Sequence, residues 1–218
     1  TGVTAGTTTI TYTNNNGCSN TVTVTVLAQP TITGTLTVCN GSTTTLTGSG
    51  TPAAVNPWLS GTTSVATVNS SGVVSGIAAG TSVITYTNNN GCSITTTVTV
   101  NARPGVTGTL TICDGSTTTL TGSGTPAAVN PWVSSNTGVA TVSNTGVVTG
   151  VNPGTSVITY TNNNGCSNTV TVTVLAQPTI TGILTVCDGS TTSLTGSGTP
   201  AAANPWTSSN TGIATVNN

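Results

Sequence analysis

The chain repeats itself at a fixed interval, and that restricts its fold more than any other feature. Three sets of markers recur with a spacing of 74 residues: Cys18, Cys92 and Cys166; Cys39, Cys113 and Cys187; Trp58, Trp132 and Trp206. No insertion or deletion separates the copies. A period of this length exceeds a solenoid coil or a propeller blade and fits a small domain that closes its own core. The best preserved stretch, GTSVITYTNNNGCS at Gly80 to Ser93, returns at Gly154 to Ser167 and, nearly unchanged, at Gly6 to Ser19. Within it Ile84 and Tyr86 alternate with Val83, Thr85 and Thr87, the period of a half-buried strand rather than a helix. Asn90-Gly91 predicts a type I′ turn, and Thr97-Val98-Thr99-Val100 predicts the returning strand of a β-hairpin.

Thr supplies 57 of the 218 residues, and with Val and Ile it dominates the runs between turn signals, so an all-β fold is expected. Disordered segments are charged and poor in β-branched residues, the reverse of what is found here. Charge is nearly absent: Arg103 is the only basic residue, Asp114 and Asp188 the only acidic ones, and there is no His. One arginine cannot build the basic stripe that a nucleic acid requires, which excludes DNA and RNA as partners. No apolar run approaches the ~18 residues of a spanning helix, so this segment is expected to be soluble rather than membrane-spanning. A surface of neutral Thr, Ser and Asn favours association with other copies.

Laid against the 74-residue period, the chain divides into the C-terminal half of a repeat (1–28), two complete repeats (29–102 and 103–176) and an N-terminal half (177–218). Short proline-containing linkers, such as Asn101-Ala102-Arg103-Pro104, hold neighbours close. The first complete repeat predicts a strand over Thr31 to Val38, a turn at Cys39 to Ser42 and a strand over Thr43 to Thr47. A third strand starts at Trp58, a hairpin is formed by Val65 to Val68 with Val73-Val74, and the NNNG hairpin follows. That makes about seven short strands, the count of an immunoglobulin-like sandwich. Trp58, Trp132 and Trp206, with Tyr12, Tyr86 and Tyr160, are the expected core aromatics, because a large ring after a turn plugs a sandwich core.

The succession Gly41 to Leu46, Trp58, Ser64 to Val68, Gly72-Val73-Val74, Gly80-Thr81 and the closing Thr-Val-Thr-Val resembles the bacterial immunoglobulin-like domain of group 2, the intimin and invasin stalk type. It also resembles the Thr-rich tandem repeats of very large secreted surface proteins of gliding bacteria. The second repeat, with Trp132, Gly138 to Val142, Gly146 to Val148 and Gly154-Thr155, matches as well as the first. The resemblance implies tandem β-sandwiches in a linear head-to-tail array on the bacterial cell surface, used as a spacer, stalk or adhesive filament. It implies no catalytic residue and no cofactor.

The residue inventory points the same way. General acid–base catalysis needs a His, a Glu, a Lys or a tuned Asp, and Asp114 and Asp188 sit at equivalent turn positions of different repeats, where Asn40 stands in the first. Calcium needs several carboxylates together and zinc needs His or clustered thiolates, so no metal is expected. An isopeptide cross-link needs a Lys, which is lacking. The Thr rows (21, 23, 25; 95, 97, 99; 169, 171, 173) line hydroxyls along one strand face, as on ice-binding surfaces, and equally as on any solvated face opposite inward valines. Two function classes remain: an extracellular structural or adhesive fibre, with other copies as its partners, or a module that binds a glycan or ice through Gly48 to Asn56 and similar loops. Recognition loops carry aromatics, and these are small and repeat almost unchanged, which favours the scaffold.

Cys18, Cys39, Cys92, Cys113, Cys166 and Cys187 read as disulfide partners in an extracellular chain. In the expected sandwich Cys39 and Cys92 lie at opposite poles, separated by a seven-residue strand at ~3.3 Å per residue, far beyond the ~4.4–6.8 Å between bonded Cα atoms. Cys39 would meet Cys166 across a junction between repeats; Cys39–Cys92 with Cys113–Cys166 is the alternative if the first strand crosses differently. The half repeats leave two arrangements open as well. Either the sequence is a window on a longer polypeptide, or the tail half of one copy is completed by the head half of the next, with Cys113 bonded to the next copy's Cys18 and Cys187 to its Cys92.

Overall fold

A computed structural model of the chain describes residues 1–217; Asn218, which closes the expected half 177–218, lies outside them. Among the described residues all regular structure is strand. The backbone divides into two compact units, one of Thr1–Thr107, Thr121–Val133 and Thr159–Thr169, the other of Gly108–Leu120, Ser134–Ile158 and the residues from Val170 on.

The first unit opens with a hairpin of β1 (Gly6–Thr13) and β2 (Ser19–Val26), registered from Gly6↔Val26 to Thr13↔Ser19. Next come β3 (Ile32–Gly34), β4 (Thr37–Cys39), β5 (Thr43–Gly48), β6 (Trp58–Ser60), β7 (Ala66–Val68), β8 (Val73–Gly76), β9 (Gly80–Thr87) and β10 (Ser93–Asn101). They form two four-stranded sheets, β4-β10-β9-β6 and β3-β5-β8-β7, which pack as an immunoglobulin-like sandwich. Alternation decides which residues meet. Val38, Trp58, Ile84, Tyr86, Val98 and Val100 of one sheet share a buried core with Leu46, Ala66 and Val74 of the other. Full burial of such a side chain contributes about 1.5–3 kcal/mol, so this cluster is the main stabilising term.

Trp58 pairs with Tyr86 across the sheet, with ring centroids 4.6 Å apart and planes tilted by 42°. Gly48 leaves the tyrosine ring its space, since a Cβ at that position would run into it. The Tyr86 hydroxyl donates to the Gly50 carbonyl at 3.3 Å, so the polar end of the buried ring is satisfied. Ser82, buried on the same face of β9, is satisfied in turn by Ser60 Oγ at 2.9 Å and by the Thr62 N–H at 3.0 Å.

Two local expectations are corrected. The single strand over Thr31 to Val38 is two strands: β3 pairs with β5 in one sheet, whereas β4 runs parallel to β10 in the other. The switch falls just after Gly34, whose φ of 129° is open to glycine and strained for other residues. The hairpin turn is also not type I′. Gly91 has φ 77°, but Asn90 is not among the positive-φ residues, which outside glycine are Asn56, Asn130 and Asn204 among the described residues. Asn88 N–H donates to Cys92 O and Gly91 N–H to Asn88 O, both at 3.0 Å, giving a three-residue loop that ends in a glycine bulge. Asn88 Oδ1 drives this choice by accepting from the N–H groups of Asn90 at 3.1 Å and Cys92 at 3.0 Å.

The second repeat carries β11 (Val106–Thr107), β12 (Thr111–Cys113), β13 (Thr117–Thr119), β14 (Thr121–Gly122) and β15 (Trp132–Ser134). It continues with β16 (Ala140–Val142), β17 (Val147–Gly150), β18 (Gly154–Thr161) and β19 (Ser167–Leu175). Their sheet orders, β12-β19-β18-β15 and β13-β17-β16 with β11-β14, repeat those of the first sandwich, the counterpart of β5 being interrupted at Leu120. Leu120, Val148, Ile158 and Tyr160 are buried at the positions that match Leu46, Val74, Ile84 and Tyr86. In the second unit β20 (Ile180–Gly182) and β21 (Leu194–Gly196) pair as a small two-stranded sheet.

Two of the expected core aromatics are not buried. Tyr12 is 74% exposed and Trp206 only half-buried. The reason is topological. Tyr86 is covered by residues of β5 and β6, and Trp58 lies beside β9; among the described residues the copies of those strands do not pack on Tyr12 or Trp206 in the same way.

Candidate functional site

The alternation of β4 places Val38 in the core and Cys39 at the strand's end, where the parallel register sets Cys39 beside Asn101 of β10. Asn40 N–H donates to Asn101 O at 2.8 Å, and Ser42 N–H to Cys39 O at 2.9 Å, so the turn that carries Cys39 is fixed against the start of the linker 101–104. Cys166 comes from the loop between β18 and β19. Its backbone N–H donates to Asn162 Oδ1 at 3.0 Å, the same bulged loop as in the first repeat. Cys39 and Cys166 are joined as a disulfide, Cα atoms 5.6 Å apart and 127 residues distant in sequence, and Cys166 is fully buried. The alternative pairs Cys39–Cys92 and Cys113–Cys166 are therefore not formed.

Two side-chain amides hold the linker next to this bond. Asn162 Nδ2 donates to Ala102 O at 3.4 Å and Asn168 Nδ2 donates to Pro104 O at 3.0 Å. All of these groups belong to the first compact unit. Neither role stands out in the sequence, where Asn162 opens a turn signal and Asn168 sits at the start of a strand. The signal was present in the asymmetry of the repeat, where Asn168 stands in place of Ile94 while the strand around it keeps its alternation.

Chemically, the arrangement is a staple. Tension along the backbone passes from residue 39 to residue 166 through one covalent bond and bypasses everything between. The remaining thiols are unbonded: Cys18, Cys113 and Cys187 are exposed and Cys92 half-buried. A shallow cavity of about 330 Å³ beside Cys39 is lined by Thr, Ser, Asn and Val side chains, including Thr35, Thr44 and Asn164, with no charged or aromatic group. Among the described residues no group of three or more His, Cys, Asp or Glu could hold a metal ion, and no helix is long and apolar enough to cross a membrane. The Thr rows follow the alternation of their strands, Thr95, Thr97, Thr169 and Thr171 being exposed opposite buried Val98 and Val172.

Residues 94–174 match the family described as the bacterial Ig-like domain (group 2). No curated protein is similar to the chain in sequence. Among solved structures, domains 4 and 5 of the S-layer protein SbsC are 22% identical, covering 68% of this chain and 98% of that one, with a TM-score of 0.32. Invasin, described as a bacterial integrin-binding protein, is 18% identical over 82% of this chain and 47% of its own, with a TM-score of 0.43. A C-terminal fragment of intimin, solved with the intimin-binding domain of the translocated intimin receptor, is 16% identical over 81% of this chain and 59% of its own, with a TM-score of 0.35. The chain thus spans about half the length of the invasin and intimin chains.

Proposed function

We propose, given that residues 94–174 match the bacterial immunoglobulin-like domain of group 2, that the chain is a structural segment of an extracellular, cell-surface stalk or filament. In this reading residues 29–102 and 103–176 are complete sandwiches, and 1–28 and 177–218 are halves of further ones. The observation that carries it is the Cys39–Cys166 bond, which links the first half of one repeat to the hairpin of the following repeat instead of closing a single repeat on itself. A disulfide in that position ties neighbouring repeats to each other. It is what a load-bearing chain of modules needs, because neighbours stay joined even when a core yields. Disulfides persist in oxidising surroundings, which supports a location outside the cytoplasm. The loops at 48–56 and 122–130 share the sequence GSGTPAAVN and offer no ring to a ligand, which supports a scaffold over a glycan-binding or ice-binding module.

The test is antibody labelling of the cells that make the protein, with antibody raised against residues 29–176. Labelling of intact cells, together with recovery of an oxidised Cys39–Cys166 peptide from shed material, is the expected result. Labelling only after permeabilisation, or reduced thiols at both positions, overturns the proposal.

A further inference from the structure

Two apolar faces of the molecule lie open, and the internal repeat shows what covers each of them. On the β1–β2 hairpin Ile10 is 50%, Tyr12 74% and Val24 41% exposed, while their counterparts Ile84, Tyr86 and Val98 are fully buried. What buries those counterparts is the segment 31–76, through Leu46, Trp58 and Ala66. The copy of that segment is 179–217, and there Leu194 is 38% exposed, Val186 51%, and Ala214 exposed, against 1%, 7% and 0% for Leu46, Val38 and Ala66. The same sequences that bury one another within the first sandwich are therefore both unburied at the two ends of the chain.

The thiols obey a second, independent rule. The one bond present runs from the first-half cysteine of a repeat, Cys39, to the hairpin cysteine of the following repeat, Cys166. Applied to a repeat built from the tail of one copy and the head of the next, the rule pairs Cys113 with Cys18 of the next copy, and Cys187 with its Cys92. Those four are the four unbonded cysteines.

We propose that the exposed face of β1–β2 receives the segment 178–217 of a second copy, and that the joint is sealed by Cys113–Cys18 and Cys187–Cys92 disulfides between copies. This deepens the filament reading above and rests on it. The contact is heterologous, since tail meets head, so it does not close on itself and copies add in a line. Each bond forms as two thiols give up two protons and two electrons to a small-molecule disulfide, which is reduced to two thiols.

The experiment takes the 218-residue chain at rising concentration with oxidised glutathione, reads it by non-reducing electrophoresis and maps the bonded peptides by mass spectrometry. A ladder that collapses on reduction, with Cys113–Cys18 and Cys187–Cys92 peptides dominant, is expected. Tyr12→Asp raises the concentration needed for assembly at least tenfold while the Cys39–Cys166 bond still forms, which shows that the rest of the chain is folded. A monomer with four free thiols, or cross-links scattered over all cysteine pairs, overturns the proposal. A monomer that nonetheless labels on intact cells defeats the joint between copies and leaves the surface reading standing; absence from the surface defeats that reading whatever the electrophoresis shows.

Discussion

The hairpins at 6–26 and 80–101 form the same ladder from nearly the same letters, yet one is bare and the other is the centre of a core. GTTTITYTNNNGCS at 6–19 and GTSVITYTNNNGCS at 80–93 differ at two positions, and both hairpins register their glycine against a valine, Gly6↔Val26 and Gly80↔Val100. Tyr12 is 74% exposed and Tyr86 fully buried. Strand pairing is therefore a local property of this sequence, whereas burial is conferred by whatever lies across the sandwich. Ile84, Tyr86 and Val98 contribute roughly 4.5–9 kcal/mol through burial that their exposed counterparts Ile10, Tyr12 and Val24 do not. A lone two-stranded hairpin is at best marginally stable in water, so β1–β2 is expected to open orders of magnitude more often than β9–β10.

The largest predicted effect comes from the staple. The hairpin 80–101 lies between Cys39 and Cys166 and the hairpin 6–26 lies outside them, so the disulfide restricts the unfolded state around only one of the two. Closing a loop of 127 residues is worth about 5 kcal/mol by chain entropy. Replacing both cysteines by serine is expected to lower the unfolding free energy by about that amount, read from denaturant melts. Hydrogen exchange should show the loss at β9–β10 and none at β1–β2. Equal loosening of both hairpins would mean that the bond acts on something other than the segment it encloses.

Tyr86→Ala against Tyr12→Ala tests the contrast at a single ring. Removing the buried ring leaves a cavity beside Trp58, and loss of a large buried aromatic costs about 3–5 kcal/mol. The exposed ring has no such surroundings, so Tyr12→Ala is expected within about 0.5 kcal/mol of the parent chain. A large loss at Tyr12 in dilute monomer would show that the head hairpin already has a cover. A smaller effect follows from Gly48, whose missing side chain makes room for the Tyr86 ring. Gly48→Ala overpacks that spot and should destabilise by about 1–3 kcal/mol. Combined with Tyr86→Ala the penalty should largely vanish, because the ring that an alanine would strike is gone.

What was legible in the sequence divides along the same line. Alternation and the period of 74 residues placed the hairpins, the start of β6 at Trp58 and the all-β class, because each is written in adjacent letters. The split of the first strand was not legible. Ile32-Thr33-Gly34 and Thr37-Val38-Cys39 alternate alike, and only the two sheets on offer decide that each joins a different one. The turn type was not legible either, because Asn-Gly suits two loop lengths, and Asn88, two residues before Asn90, selects the longer by bonding the N–H groups of Asn90 and Cys92. Equivalence of letters between repeats points Tyr12 and Trp206 to a core, but it does not supply the covering half. The grips of Asn162 and Asn168 on Ala102 and Pro104 were out of reach, since they depend on residues 60 and 64 positions apart.

The smallest predicted effect separates charge from burial. Arg103, Asp114 and Asp188 all lie outside both hairpins, so neither hairpin contains a charge to screen. An exposed ion pair contributes about 0–1 kcal/mol at most, and the Debye length shrinks from ~30 Å at 0.01 M to ~3 Å at 1 M. Sodium chloride over that range should therefore shift the stability of either hairpin by less than ~0.5 kcal/mol. Sulfate acts differently, because it is excluded from protein surface and strengthens burial itself. It is expected to slow exchange at β9–β10, where opening exposes Ile84 and Tyr86, and to leave β1–β2 nearly unchanged, where Ile10 and Tyr12 meet water whether the hairpin is open or closed. If β1–β2 gains as much from sulfate as β9–β10, its apolar face has found a cover in solution; that gain should then rise with protein concentration, as addition of a second copy requires.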